Sequence, residues 1–265
     1  MPVNWFLESI KWWYLCRGFA PMSLTQSYRS VMLGTFFTLF TPNRIGDGAG
    51  RISLLPPGNK SRGSWAFLNG SVAQTLATLL FGCIGLALIP AYLEPSDDIW
   101  WKVYAILRWP VWIGSTVILL LYVEPGWLRM AMEWTQPDSW IGKRIQTLQE
   151  YRRRQNGITL LISVVRYGVF ATQFLLMLQL FGFAGEDFEA YLRIALIYLS
   201  TTLIPTVAAA ELGLRESMAI MMLPAGGITE SVVFTSTLLL WIINLLLPGM
   251  IGAVFFVNWK KHRAK

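Results

Sequence analysis

The residues of this chain that could do chemistry are charged side chains in or beside apolar segments. A charge inside a membrane span costs roughly 2.5 to 3.5 kcal/mol, so each such residue needs a reason to be there. Arginine outnumbers carboxylate among them, and a guanidinium group holds phosphate oxygens with a planar, bidentate fork. This excess favours the binding of a phosphate-bearing anion. The candidates are Arg44, Asp47, Arg51, Arg108, Arg166, Glu211, Arg215 and Glu216.

Other kinds of site find no support in the sequence. Cys16 and Cys83 stand apart in apolar surroundings, and the single histidine, His262, lies in the C-terminal tail. None of these residues has the spacing of a metal site or of a nucleophile with its base. We therefore expect no metal, no cofactor and no covalent catalysis, and we interpret the chain as a protein that is not an enzyme.

The elements that carry these charges have the composition of a membrane protein. Of the 265 residues, 54% are hydrophobic and only 14% are charged, whereas soluble domains carry roughly 25% charged residues. The 13 tryptophans suit the membrane interfaces, where an apolar ring with one polar group is favoured. The net charge of +7 is spread between the apolar runs and forms no stripe that would suit nucleic acid.

Four apolar segments are long enough to cross a hydrocarbon core of about 30 Å, which takes around 20 helical residues. They are residues 65–93, 99–123, 158–184 and 231–257. Residues 24–40 and 191–204 are shorter, and each leads into a proline-bearing polar motif, which predicts two re-entrant half-helices. Residues 1–18 are predicted as an interfacial helix or as the remnant of a further span.

Basic and acidic connections alternate along the chain, as expected when lysine and arginine collect in cytoplasmic loops. Basic residues precede the first span, fill the connection between the second and third spans, and end the chain. The other connections carry Glu94, Asp97, Asp98, Glu186, Asp187 and Glu189. This pattern places the C-terminus in the cytoplasm. It predicts one integral membrane domain, 1–265, with halves 1–123 and 158–265 around a cytoplasmic loop, 124–157.

Two charged motifs interrupt the apolar pattern, one in each half, at residues 41–51 and 205–216. Each combines proline, glycine, arginine and a carboxylate, so each can end a helix and present backbone groups at membrane depth. Discontinuous helices in both halves are typical of inverted repeats that bind a substrate near the bilayer midplane. The predicted fold class is therefore an all-α, polytopic membrane helical bundle with two re-entrant half-helix hairpins in an inverted repeat.

At these motifs the sequence resembles the family typified by the membrane-embedded flippase region of bacterial lysylphosphatidylglycerol synthases. The late motif ends in the family's Gly-x-Arg-Glu at residues 213–216, and an aspartate stands in the early motif where glutamate is usual. After residue 257 only a short basic tail follows, so we expect no soluble aminoacyl-transferring domain. The early motif has the family's order of residue types in Pro42, Arg44, Gly46, Asp47 and Arg51.

The resemblance implies a multi-pass protein of the bacterial inner membrane that handles lipid without transferring lysine. We expect a transporter, or flippase, for an anionic phospholipid or a polyprenyl-phosphate-linked lipid, with an envelope-synthesis enzyme as a further partner. Two other functions stay open: a non-catalytic membrane partner of a lipid-modifying or glycosyltransferase enzyme, and a membrane enzyme acting on a lipid phosphate. The expected substrate-binding residues are Arg44, Asp47, Arg51, Arg166, Glu211, Arg215 and Glu216.

Several of these charges also have simpler interpretations. Arg44 and Arg51 could be ordinary cytoplasmic loop residues that follow the positive-inside rule. Arg215 and Glu216 could form a structural ion pair that holds a broken helix, since charges within membranes usually pair. Arg108 could extend its apolar stem toward an interface. Arg166 differs from these residues, because its position well inside an apolar segment argues for a role facing a cavity.

Overall fold

The structure, a computed structural model, describes residues 1–41, 45–91, 99–124, 153–204, 208–223 and 229–263. Within these ranges the chain forms helices and no strand, which confirms the all-α prediction. The helices are α1 (Pro2–Cys16), α2 (Leu24–Thr38), α3 (Ile45–Ser53), α4 (Lys60–Leu88), α5 (Ile99–Val123), α6 (Arg153–Leu180), α7 (Asp187–Leu203), α8 (Ala208–Met222), α9 (Glu230–Trp241) and α10 (Leu247–Arg263).

Three helical stretches in the described ranges are long and apolar enough to cross a membrane. They are Pro57–Leu88, Arg153–Leu180 and Glu230–Val257, and they coincide with three of the four predicted spans. The remaining predicted span corresponds to α5, of which Arg108–Val123 qualifies as an apolar helix shorter than a span. The fourth crossing therefore stays a prediction.

The first helical hairpin consists of α2 and α3, which pack closely through glycine. A Cβ atom on Gly46 would lie 2.4 Å from the carbonyl oxygen of Phe37, and one on Gly50 would lie 2.7 Å from the Cα atom of Gly34. The contacts run in opposite directions along the two helices, so the helices are antiparallel. Such close backbone approach is typical of small residues spaced four apart at helix interfaces in membranes.

The second helical hairpin consists of α7 and α8, which are also antiparallel. Arg193 of α7 donates a hydrogen bond to the carbonyl oxygen of Met222 near the end of α8. The guanidinium carbon of Arg215 on α8 lies 5.5 Å from the ring centre of Tyr198, one turn and a half further along α7. The four hairpin helices have 9 to 17 residues, fewer than the roughly 20 that a span needs.

The last span contains a local widening of the helix before its proline. Residues Ile242–Leu246 form a π-helical turn between α9 and α10. Pro248 follows within the continuous helix, where it has no backbone N–H to donate to the preceding turn. A π-bulge is a common way for a helix to accommodate such an interruption.

The two larger apolar cores of the described residues both include residues of α4. One core joins α1, α2 and α4 around Trp12 and Met32. The other joins α6, α7, α8 and α9 around Phe174 and Ile194, with Ala77 supplied by α4. Three buried polar residues connect α4, α5 and α6. The side-chain amide of Asn69 donates to Oδ1 of Asn156, and the hydroxyl of Tyr122 donates to Oδ1 of Asn69. The side-chain amide of Asn156 donates to the backbone carbonyl oxygen of Tyr122.

A buried charge cluster as candidate functional site

Arg51 has both of its guanidinium edges engaged by carboxylates inside the protein. Its Nε and Nη2 atoms donate to the two oxygens of Asp47, at 2.6 Å each, which is the bidentate geometry expected of arginine with a carboxylate. Its Nη1 atom donates to Oε1 of Glu8 at 2.5 Å. Only 5% of Arg51 is exposed. The aromatic rings of Trp12 and Phe67 flank the guanidinium group at 5.8 and 5.7 Å.

Glu8 of α1 is the centre of the cluster, since three cations share its two oxygens. Besides Arg51, the Lys11 Nζ atom lies 2.9 Å from Oε2, and Arg166 of α6 donates to the same oxygen. Lys11, which is 3% exposed, also donates to the carbonyl oxygen of Gly70 on α4 at 3.4 Å. One carboxylate thus ties together charges from α1, α3 and α6.

Arg166 is held by neutral groups as well as by Glu8. Its Nε atom donates to Oδ1 of Asn4 at 2.7 Å, and its Nη1 atom donates to Oε1 of Gln74 at 2.9 Å. The side chain of Gln74 donates in turn to the carbonyl oxygen of Ser163, one turn earlier on α6. These contacts fix the plane of the guanidinium group against α1 and α4.

Among the side chains that the structure describes, the cluster brings together three cations and two carboxylates. Removing an ion from water costs several kcal/mol even when it is paired, and a folded protein seldom assembles five such groups for stability alone. Two of the cations are arginines, whose planar forks suit phosphate as well as carboxylate. The guanidinium groups therefore have the geometry to hold a phosphate in the place of a carboxylate.

Local sequence explains how the helices present these groups. Asn4, Glu8 and Lys11 recur at the spacing of one helix face. Pro2 suits the first turn of α1, because N–H groups in that turn have no acceptor within the helix and the missing one is not needed. Asp47 and Arg51 are four residues apart on α3, which places them side by side. A Cβ atom on Gly34 would lie 2.3 Å from Oδ1 of Asp47, so glycine there leaves room for the carboxylate.

The chain matches the family described as "Lysylphosphatidylglycerol synthase TM region" over residues 2–252. It belongs to this family. The chain is therefore a membrane protein related to lipid modification or transport, as the charged motifs predicted. No curated protein and no solved structure matches it.

In this lysylphosphatidylglycerol synthase TM-region protein, three of the residues expected to form the binding site lie close to one another. Asp47, Arg51 and Arg166 all belong to the buried cluster. The interpretation of Arg51 as an ordinary cytoplasmic loop residue is wrong, because it is buried and doubly paired. Arg44 lies outside the described residues, so the same interpretation of that residue stays a prediction.

The late motif lies on α8, in the second hairpin. Arg215 packs on the ring of Tyr198, and that ring is edge-on to Tyr167, the neighbour of Arg166 in the sequence. Glu216 is half-buried and forms no ion pair with a side chain that the structure describes. The side chain of Glu211 lies outside the described set. A shared site between the two motifs therefore stays a prediction.

Sequence reasoning missed the centre of the cluster, Glu8, and its neighbour Lys11. Both lie on α1, whose predicted interfacial position does not account for a polar face buried against other helices. It also missed Arg193, which is 8% exposed and pairs with Glu189 one turn earlier on α7. The spacing of Asn4, Glu8 and Lys11 was the available signal, because three polar residues on one face of an otherwise apolar helix need polar partners.

The remaining predictions about chemistry concern single residues. Arg108 is half-buried, and its guanidinium carbon lies 5.2 Å from the ring centre of Trp109. Cys16 and Cys83 are buried free thiols in separate parts of the fold. Among the described histidine, cysteine, aspartate and glutamate side chains, no group of three could hold a metal ion.

Proposed function

We propose that this chain is a lipid flippase of the bacterial inner membrane, which moves an anionic phospholipid or a polyprenyl-phosphate-linked lipid between leaflets. The observation that carries the proposal is the buried cluster in which the guanidinium groups of Arg51 and Arg166 share the carboxylate of Glu8. A lipid phosphate is the anion that a membrane protein of this family would meet at such a site. Its geometry matches the forks that now hold carboxylates.

The proposed mechanism is an exchange of partners at the guanidinium groups. When a lipid phosphate reaches the cluster, it replaces Asp47 or Glu8 as the partner of Arg51. Meanwhile Lys11 still pairs with the carboxylate of Glu8, and the side-chain amides of Asn4 and Gln74 still accept hydrogen bonds from Arg166. Because the cations are already gathered in a preformed site, the phosphate stays paired and does not cross the hydrocarbon core as an unpaired charge. No covalent bond to the lipid forms or breaks in this cycle.

The two hairpins supply the moving parts of the proposal. Their helices are too short to cross the bilayer singly, and each hairpin brings an arginine-bearing helix toward α4 or α6. We propose that both are re-entrant and are related as the two halves of an inverted repeat, with the C-terminus in the cytoplasm. Rocking of one half against the other would then open the cluster first to one leaflet and then to the other.

A reconstitution experiment separates this function from the two alternatives. The purified protein is placed in vesicles that contain a fluorescent phosphatidylglycerol, and both the leaflet distribution and the mass of the lipid are followed. Movement of intact lipid between leaflets supports the flippase. A change in the mass of the lipid would instead support the membrane enzyme. Neither change, in protein that is correctly inserted, would favour the non-catalytic partner of an envelope-synthesis enzyme.

A further inference from the structure

A cavity of about 620 Å³ opens beside the first hairpin, and none of its lining residues belongs to the charge cluster. Its walls come from four segments: the connection between α1 and α2, one side of α2, the residues after α3, and the middle of α10. The lining is mostly apolar, and its polar members lie on α2. The residues that matter here are Met22, Arg29, Leu33, Leu54, Leu55 and Phe255.

Arg29 is the cation of this cavity, and in the part of the chain that the structure describes it has no carboxylate partner. Its side chain is exposed, and its guanidinium carbon lies 5.8 Å from the ring centre of Phe255 on α10. A cation over an aromatic face is held in position without being neutralised. None of the described residues that line the cavity is acidic. The charge of Arg29 is thus left for an anion.

The surroundings of the opening are also basic. The side-chain amide of Asn59 donates to the carbonyl oxygen of Phe19 at 2.8 Å, which places the start of α4, with Lys60, beside the connection that lines the cavity. Arg17 directly follows α1, three residues before the lining residue Ala20. The amino-terminal turn of α2 adds partial positive charge, although the Ser23 side chain already caps the backbone N–H of Gln26. These features favour an anionic occupant.

The inner wall of the cavity is apolar and leads toward the charge cluster. Leu33 and Leu55 are 1% and 4% exposed. Leu33 precedes Gly34, which contacts Asp47, and Leu54 lies three residues after Arg51, so one helical turn separates the cavity from the cluster. An acyl chain would find apolar contacts there. A volume of this size falls in the usual range of roughly 300 to 1,000 Å³ for small-molecule sites.

We infer that this cavity binds one anionic phospholipid, with its phosphate on Arg29 and an acyl chain along Leu33, Leu54 and Phe255. The positive charge at the opening matches the phosphate of such a lipid, and the apolar surface inside matches its acyl chain. A soluble anion has no group that would contact the apolar surface. This binding does not require that the chain move lipid. A protein that holds the lipid here and yet fails to translocate it would refute the proposed flippase while leaving this site intact.

Photocrosslinking with the full-length protein in phosphatidylcholine vesicles tests the site. The probe is phosphatidylglycerol with a photoactivatable group on its acyl chain, and phosphatidylcholine with the same group serves as the neutral comparison. We expect phosphatidylglycerol to label residues 20–33 and 54–56 in preference to phosphatidylcholine. Labelling by the two lipids to the same extent, or labelling by phosphatidylglycerol only elsewhere in the chain, would overturn the inference.

Three variants sharpen the test. Arg29→Gln should lower phosphatidylglycerol labelling of these segments about tenfold, the effect of losing one charge-assisted contact. Leu54→Trp should lower labelling by both lipids, because the larger side chain obstructs the part of the wall along which the acyl chain would lie. Arg154→Gln removes an exposed arginine of α6 that does not line the cavity, and it should leave labelling unchanged. Unchanged labelling in folded Arg29→Gln and Leu54→Trp proteins would contradict the site.

A competition arm separates a lipid from a free phosphate group. Inorganic phosphate in large excess should leave phosphatidylglycerol labelling nearly unchanged, because it cannot occupy the apolar wall. Unlabelled phosphatidylglycerol in the vesicles should reduce the labelling in proportion to its amount. Full displacement of the probe by inorganic phosphate would show a simple anion site and would overturn the assignment to a phospholipid.

Discussion

Replacing Glu8 by glutamine is the sharpest perturbation of the buried cluster. The carboxylate accepts from Arg51, Lys11 and Arg166, whereas a neutral amide would leave Asp47 as the one carboxylate of the cluster among the described side chains. Arg51 would keep its bidentate partner, but Lys11 would keep only a carbonyl oxygen at 3.4 Å. Breaking a buried ion pair from one side costs about 3 to 5 kcal/mol. We expect Glu8→Gln to destabilise the protein by about that amount.

A double-mutant cycle with Lys11→Met separates charge imbalance from general disruption. Lys11→Met alone should cost less, because Glu8 would still be paired with two arginines. In the Glu8→Gln background the same change removes a buried cation that has lost its carboxylate, so it should restore part of the stability. Exposed Glu230 at the start of α9 provides the matched control, and Glu230→Gln should cost less than about 1 kcal/mol.

The assay is reversible unfolding in mixed micelles, followed by circular dichroism and tryptophan fluorescence. The expected result is a large loss for Glu8→Gln and a smaller loss for the double variant than the two single losses added together. Strict additivity, or a loss for Glu8→Gln no greater than that of the control, would refute the argument that Glu8 neutralises the cluster.

The remaining predictions concern packing, polar contacts and topology. Gly34→Ala should destabilise by more than about 1 kcal/mol, since its Cβ would meet Asp47, whereas Gly168→Ala, with no atom within 4 Å, should be neutral or mildly stabilising in the same unfolding assay. Asn156→Leu should cost about 1 to 3 kcal/mol, because the buried amide of Asn69 loses its partner; a neutral result would count against that network. In a cysteine-free background, a cysteine at Ser96 should react with an impermeant thiol reagent from outside and one at Ser139 only after permeabilisation, and the reverse would overturn the predicted orientation.

The sequence was sufficient to predict the helices and the unusual charges. Apolar runs of the right length identified the three long spans, and the two shorter apolar segments correspond to the helices α2 and α7, while their re-entrant character stays a prediction. The pairing of Asp47 with Arg51 follows from their separation of four residues on one helix. Arg166 was singled out because it lies well inside a span. These are local features, which periodicity and residue type can reveal.

The identity of the cluster's centre could not be predicted by the same means. Glu8 and Arg166 are 158 residues apart, and only the packing of α1 against α6 brings them together. The cavity at Arg29 likewise needs α10 to pack beside α2, and its lining residue Phe255 is far from the other lining residues in the chain. A single sequence carries no information on such contacts beyond the need of each buried charge for a partner. The sequence therefore indicated that the buried charges would be paired, but it did not indicate the partner of each charge.

The most direct test of the central claim is the rate at which reconstituted protein moves fluorescent phosphatidylglycerol between leaflets, compared between the wild type and Arg166→Lys. Lysine keeps the charge but removes the fork that binds Asn4, Glu8 and Gln74. We predict that the wild type moves the lipid and that the variant, folded and correctly inserted, moves it at least about tenfold more slowly. Equal rates in the two proteins would contradict a role for the buried cluster in handling the lipid phosphate.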